Sequence, residues 1–97
     1  MESRVKKRAQ LNKKAVKEFY NIISKIKKPA QAEQFFQDLM SSTEIKETAR
    51  RLYCAKLLRQ EGKTYQEIED LLGMSPITIN KIHFKTKGSK ILPKLFT

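Results

Sequence analysis

Thr78, Asn80 and Lys81 are the side chains of this sequence best suited to chemistry, and the chemistry is recognition rather than reaction. A helix that reads base edges needs short hydrogen-bonding groups on its outer face, because long side chains hold the backbone away from the bases. Asn80 suits adenine N6 and N7, Lys81 suits guanine O6 and N7 or a phosphate, and Ile77 suits a thymine methyl. Ser75 and Pro76 open the helix, so its first amides are available to a phosphate. The expected base-reading set is Pro76, Ile77, Thr78, Asn80 and Lys81. The expected phosphate set is Lys63, Thr64, Ser75, Lys85 and Lys87, with Lys81 and the basic amino-terminal segment adding to it. The plainer alternative has Thr78 and Asn80 capping or solvating a surface helix and Ile77 in the core.

Such a face needs a second helix and a tight turn to hold it, and Thr64–Lys81 supplies both. Thr64 followed three residues later by Glu67 is a capping-box pattern. Ile68, Leu71 and Leu72 are expected to face inward, and Gly73 lets the chain turn with positive φ. Ser75 is a natural cap and Pro76 a natural first residue for the next helix, where a missing amide donor costs nothing. Ile79 and Ile82, three apart, anchor that helix to the core. The pattern predicts a helix-turn-helix over residues 64–86, a motif that offers its second helix to the DNA major groove.

Upstream, Val16, Phe19, Tyr20, Ile23 and Ile26 fall on one face of a helix over about 11–26, with Lys13, Lys14, Lys17 and Lys25 mostly off it. Residues 1–10 are basic and weakly apolar and are expected to form a flexible arm. Pro29 starts a second helix to about residue 40, with Phe35, Phe36, Leu39 and Met40 as its buried stripe. Ser41 and Glu44 give a second capping box, opening a third helix whose apolar face is Ile45, Ala49, Leu52, Tyr53, the Lys56 stem and Leu57. That helix stops near Gly62, which suits a left-handed position. After Thr86 a break at Lys87-Gly88-Ser89 precedes a short segment around 91–96 of unassigned structure. The expected organisation is the arm followed by a single all-α domain over 11–97.

The chain has 97 residues and a formal net charge of +11. Ten Lys or Arg face two acids in residues 1–28, and five Lys face none in 81–97, while the middle is nearly neutral. Positive ends suit a polyanion, since neutralised phosphates release condensed counterions. A hydrophobic fraction of 39% leaves a chain of this size short of core, so a homodimer is expected. The single cysteine, Cys54, excludes an internal disulfide and sits at an apolar helical position, as a small core residue would. A single histidine, His83, gives no zinc set and no histidine-dependent triad within one chain. It is read as a surface residue within reach of DNA backbone. Glu67, Glu69 and Asp70 are an acidic run explained by capping and solvation, and no glycine-rich phosphate loop is present. No catalytic residue, metal or cofactor is expected. Neither a signal peptide nor a membrane-length apolar run occurs, and an intracellular protein without a membrane partner is expected.

From Phe35 to about Lys85 the sequence resembles the Trp repressor superfamily, and in particular its YerC/YecD-type branch. The resemblance rests on FFQDLMSSTE, ARRLYCAKLL, GKTYQEI and LGMSPITINK, and covers about half the chain; residues 1–34 match only in being a leading helical segment. It implies an intertwined all-helical homodimer that presents two helix-turn-helix units to successive major grooves, in a cytoplasmic, nucleoid-associated regulator of bacterial or phage type. In the tryptophan-responsive members the indole lies between two arginines beside a glycine. By the resemblance Arg51 corresponds to the first arginine and Ser41 to a polar pocket residue. Lys81 replaces the second arginine and cannot stack a planar guanidinium on a ring, while Ile82 stands where the glycine would leave room. The effector pocket is therefore expected to be vestigial, without tryptophan as corepressor.

The favoured reading is sequence-specific double-stranded DNA binding by a transcriptional repressor. Two rivals differ in class: a non-specific or architectural nucleic-acid binder driven by the charged ends, and a protein-interaction module whose helix pair docks another protein.

Overall fold

The structure, a computed structural model, describes residues 3–97. It is all-helical, with no strand among the described residues. Six helices run in order as α1 (Arg4–Ile23), α2 (Pro29–Leu39), α3 (Ser42–Arg59), α4 (Tyr65–Leu72), α5 (Pro76–Thr86) and α6 (Leu92–Leu95).

Local chemistry explains most of the boundaries. Ser41 Oγ accepts from the Glu44 amide at 3.2 Å, and Glu44 Oε1 accepts from the Ser41 amide at 2.9 Å, so the capping box of α3 is closed in both directions. Thr64 and Glu67 repeat it at the start of α4, at 3.2 and 3.1 Å. Ser75 Oγ accepts from the Thr78 amide at 3.2 Å to cap α5, with Pro76 in its first turn. Gly62 and Gly73 both have positive φ, at 61° and 62°. Gly73 ends α4 and gives its amide to the Glu69 carbonyl at 2.8 Å.

The chain divides into two compact units, residues 1–39 and 40–97. Helix α1 starts at Arg4, capped by Ser3, and so takes in most of the expected flexible arm; Met1 and Glu2 lie outside the described residues. The reason is that Arg, Lys, Ala, Gln and Leu are all strong helix formers, whatever their charge. The helix also stops three residues earlier than expected, where Ser24 Oγ turns back to donate to the Asn21 carbonyl at 2.6 Å. Neither α1 nor α2 carries a buried residue.

The 40–97 unit holds the core: Cys54, Ala55, Leu57, Ile68, Met74, Ile79 and Ile82, with Leu58, Tyr65, Leu72, Leu92 and Phe96 packed around them. Helix α5 packs on both α3 and α4, and α6 closes against α3. Three inward assignments are corrected, the first being the α2 stripe, where Leu39 is exposed and Phe35, Phe36 and Met40 are only half-buried. On α3 only Leu57 of the expected face is fully buried; Ala49, Leu52 and Tyr53 point outward, and Cys54 and Ala55 take the core positions. On α4 Leu71 is exposed while Ile68 is fully buried. A helix apolar on more than one side leaves the phase of its stripe ambiguous, and here the small Cys54 and Ala55 take the buried positions.

Candidate nucleic-acid interface

Helix α5 is fixed from one side and open on the other. Ile79 and Ile82 are buried, and their burial sets the rotation that sends Ile77, Asn80 and Lys81 outward. Ile77 is 70% exposed, which removes it from the core alternative. Thr78 is half-buried, its hydroxyl 3.0 Å from that of Ser75, so the two share a hydrogen at the start of the helix. Pro76 is exposed beside them.

Asn80 is held from across the turn. The hydroxyl of Tyr65, the first residue of α4, donates to Asn80 Oδ1 at 3.0 Å. Nothing in the local spacing announced this pair, because it joins residues fifteen apart.

Two arginines missed by the sequence reading brace the arrangement. Arg50 on α3 donates to the Leu72 carbonyl, tying α3 to the end of α4. Arg59 donates to the His83 carbonyl, which also accepts from the Lys87 amide, and, at 3.3 Å, to Thr86 Oγ1, which ties α3 to the last turn of α5. His83 is half-buried rather than a surface residue. Its ring stands edge-on to Tyr65 and Phe84, with centroids 5.9 and 5.4 Å away, and Nδ1 is buried without a hydrogen-bond partner.

The residues expected at phosphates are spread along the same side chains and caps. Lys85 and Lys87 are exposed, with the Lys87 ammonium 5.9 Å from the Phe84 ring centroid. Lys63 lies 3.6 Å from Glu67, a partly exposed pair that salt screens readily. The Thr64 and Ser75 hydroxyls are engaged in capping, so their remaining capacity for a phosphate is limited. Glu67 itself is held below the usual carboxylate range, chiefly by the Thr64 amide and then by the Thr64 hydroxyl, with Lys63 contributing less.

The four residues of the expected vestigial pocket do not converge. One hollow of about 300 Å³ is lined by Glu47, Arg50, Arg51, Met74, Ser75 and Thr78. A second, about 240 Å³, has Arg51 with Ile82, Leu52 and Leu92 on its walls. Arg51 borders both, Ile82 only the second, and Lys81 and Ser41 neither. Ser41 is occupied in capping α3, and Ile82 fills core space with its side chain. No group of three or more metal-ligating side chains occurs among the described residues.

The fold and site define an all-helical protein of Trp-repressor-like fold, with a braced helix pair exposing one face. The chain belongs to the Trp repressor family, a family of DNA-binding transcription regulators: the family's sequence model, described as Trp repressor protein, matches residues 14–90. The match reaches well beyond Phe35–Lys85 and includes much of the leading helical segment. The chain is also similar to a Bacillus subtilis (strain 168) protein described as Uncharacterized protein YerC. Identity is 37% over 73 residues, spanning 75% of this chain and 69% of the relative. No solved structure gives a significant match.

Proposed function

We propose that this protein is a sequence-specific double-stranded-DNA-binding transcriptional repressor, acting as a homodimer through a helix-turn-helix formed by α4 and α5. The observation that carries the reading is the division of α5: Ile79 and Ile82 are buried while Ile77, Asn80 and Lys81 stand exposed on a braced helix. Lys85 and Lys87 continue the exposed surface as phosphate contacts, and Pro76 and Thr78 lie at the end that meets the groove. Family membership supports the class of target.

Dimerisation is supported by apolar side chains left without cover in the single chain. Val16, Phe19 and Tyr20 stay exposed on α1, as do Leu52 and Tyr53 on α3. No helix among the described residues is long and apolar enough to cross a membrane. We place the protein with the nucleoid in the cytoplasm. Repression requires no tryptophan in this reading, since Ile82 is buried where room would be needed and Lys81 borders neither hollow.

In vitro selection of bound duplexes from a random pool tests the function. A near-palindromic consensus with half-sites one helical turn apart is expected. On the selected duplex Asn80→Ala should lose about 1–3 kcal/mol of binding, and little on unrelated DNA. No consensus, with equal losses on all sequences, would favour a charge-driven nucleic-acid binder. Absence of any salt-dependent duplex binding would favour a protein-interaction module. Micromolar tryptophan binding that sharpens DNA affinity would overturn the effector-free part.

A further inference from the structure

Tyr65 stands in the wrong helix to read DNA and in the right place to decide what Asn80 reads. Its ring is packed against the core and edge-on to His83, so the phenol has little freedom. Its hydroxyl reaches the surface of α5 and donates to Asn80 Oδ1 at 3.0 Å.

A side-chain amide carries two lone pairs on oxygen and two donors on nitrogen. An untethered Asn on an exposed helix rotates about its last torsion and offers either edge, so a base pair beneath it meets a mixture of donor and acceptor. The Tyr65 hydroxyl takes one Oδ1 lone pair and fixes the amide plane. What remains is one oxygen lone pair beside an NH₂ group, the complement of adenine N6–H and N7 in the major groove. Fixing the rotor before the duplex arrives also lowers the ordering cost of binding.

We propose that Tyr65 is a positioning residue for base readout: its hydroxyl presets the Asn80 amide so that the base pair beneath it is read as adenine. The inference rests on the DNA-reading function proposed above. It assigns a specificity role to a residue that makes no base contact itself.

Tyr65→Phe removes one oxygen and keeps the ring. The test compares the full-length protein with Y65F, N80A and Y65F/N80A on the selected duplex and on its three single-base-pair variants at the position where N80A levels the preference. Y65F should lower the preference for adenine at that position about three- to tenfold, the range expected for losing one neutral hydrogen bond. Preferences at other positions and non-specific affinity should stay unchanged, and the unfolding midpoint should fall by no more than the loss of one exposed hydrogen bond allows. The double variant should be no worse than N80A alone. A Y65F protein that keeps its preference, loses affinity equally on all duplexes, or adds its loss to that of N80A overturns the positioning role. So does a consensus base other than adenine at that position. If N80A levels one position and Y65F does not, only the role of Tyr65 falls. If no duplex is preferred at all, the DNA-reading function falls first and this role with it.

Discussion

Gly73→Ala isolates the backbone cost of the turn between α4 and α5. Gly73 sits at φ 62° and ψ 30°, in the left-handed region. An added Cβ would meet no heavy atom within 4 Å, so the penalty is internal to the residue and not a clash with its neighbours. An L-residue pays about 1–2 kcal/mol to adopt that conformation. Restricting the unfolded chain returns about 0.4–1 kcal/mol. The expected net loss is therefore about 1 kcal/mol, or roughly 4–8 °C in midpoint for a chain of this size. Gly73→Asn should lose less, because asparagine tolerates the left-handed region better than other L-residues. Urea unfolding followed by far-UV circular dichroism measures both, at one fixed protein concentration because the proposed dimerisation would link stability to concentration. The midpoint should fall with an unchanged slope. An unchanged midpoint for alanine would refute the conformational argument, and so would a loss several times larger or an asparagine variant worse than alanine.

Ile79→Ala should cost about 2–5 kcal/mol and abolish specific binding, because the side chain is fully buried and sets the rotation of α5; urea unfolding and duplex titration check it. Acid should weaken the fold through Glu44 and Glu67, whose carboxyls are both held below their ordinary value of 4.5 by cap hydrogen bonds. Each contributes stability that is complete above pH 4.5 and lost as pH falls through its lowered native value. Unfolding midpoints of the wild type against Glu44→Gln and Glu67→Gln between pH 6 and 3 should show a flatter acid limb in both variants.

The parts of this fold written in short spacings were legible. Ser41 with Glu44, Thr64 with Glu67 and Ser75 with Pro76 each declare a helix start within three residues, and the structure closes each cap. Gly62 and Gly73 declared the left-handed turns. The face of α3 was not legible, because Leu52 and Tyr53 look as apolar as Leu57 while the core selected Cys54 and Ala55. The start of α1 at Arg4 was not legible, because the charge of Arg4–Arg8 masks its helix propensity. Three braces of the site had no local signal: Tyr65 to Asn80, Arg50 to Leu72, and Arg59 to His83 join residues 15, 22 and 24 apart. They depend on how α3, α4 and α5 pack, which periodicity alone does not specify.

Cys54, the single thiol of the chain, is sealed in the middle of that packing. Burial pushes its pKa up, against a weaker opposing pull from the Arg51 charge, so its reactive thiolate is scarce. A thiol reagent attacks a thiolate it can reach. Alkylation of this protein therefore waits on excursions that open the core shared by α3, α4 and α5, and its rate counts them. The molecule carries its own clock for the opening of the core on which the candidate interface is mounted. A duplex that clamps those helices would slow the clock without touching the sulfur.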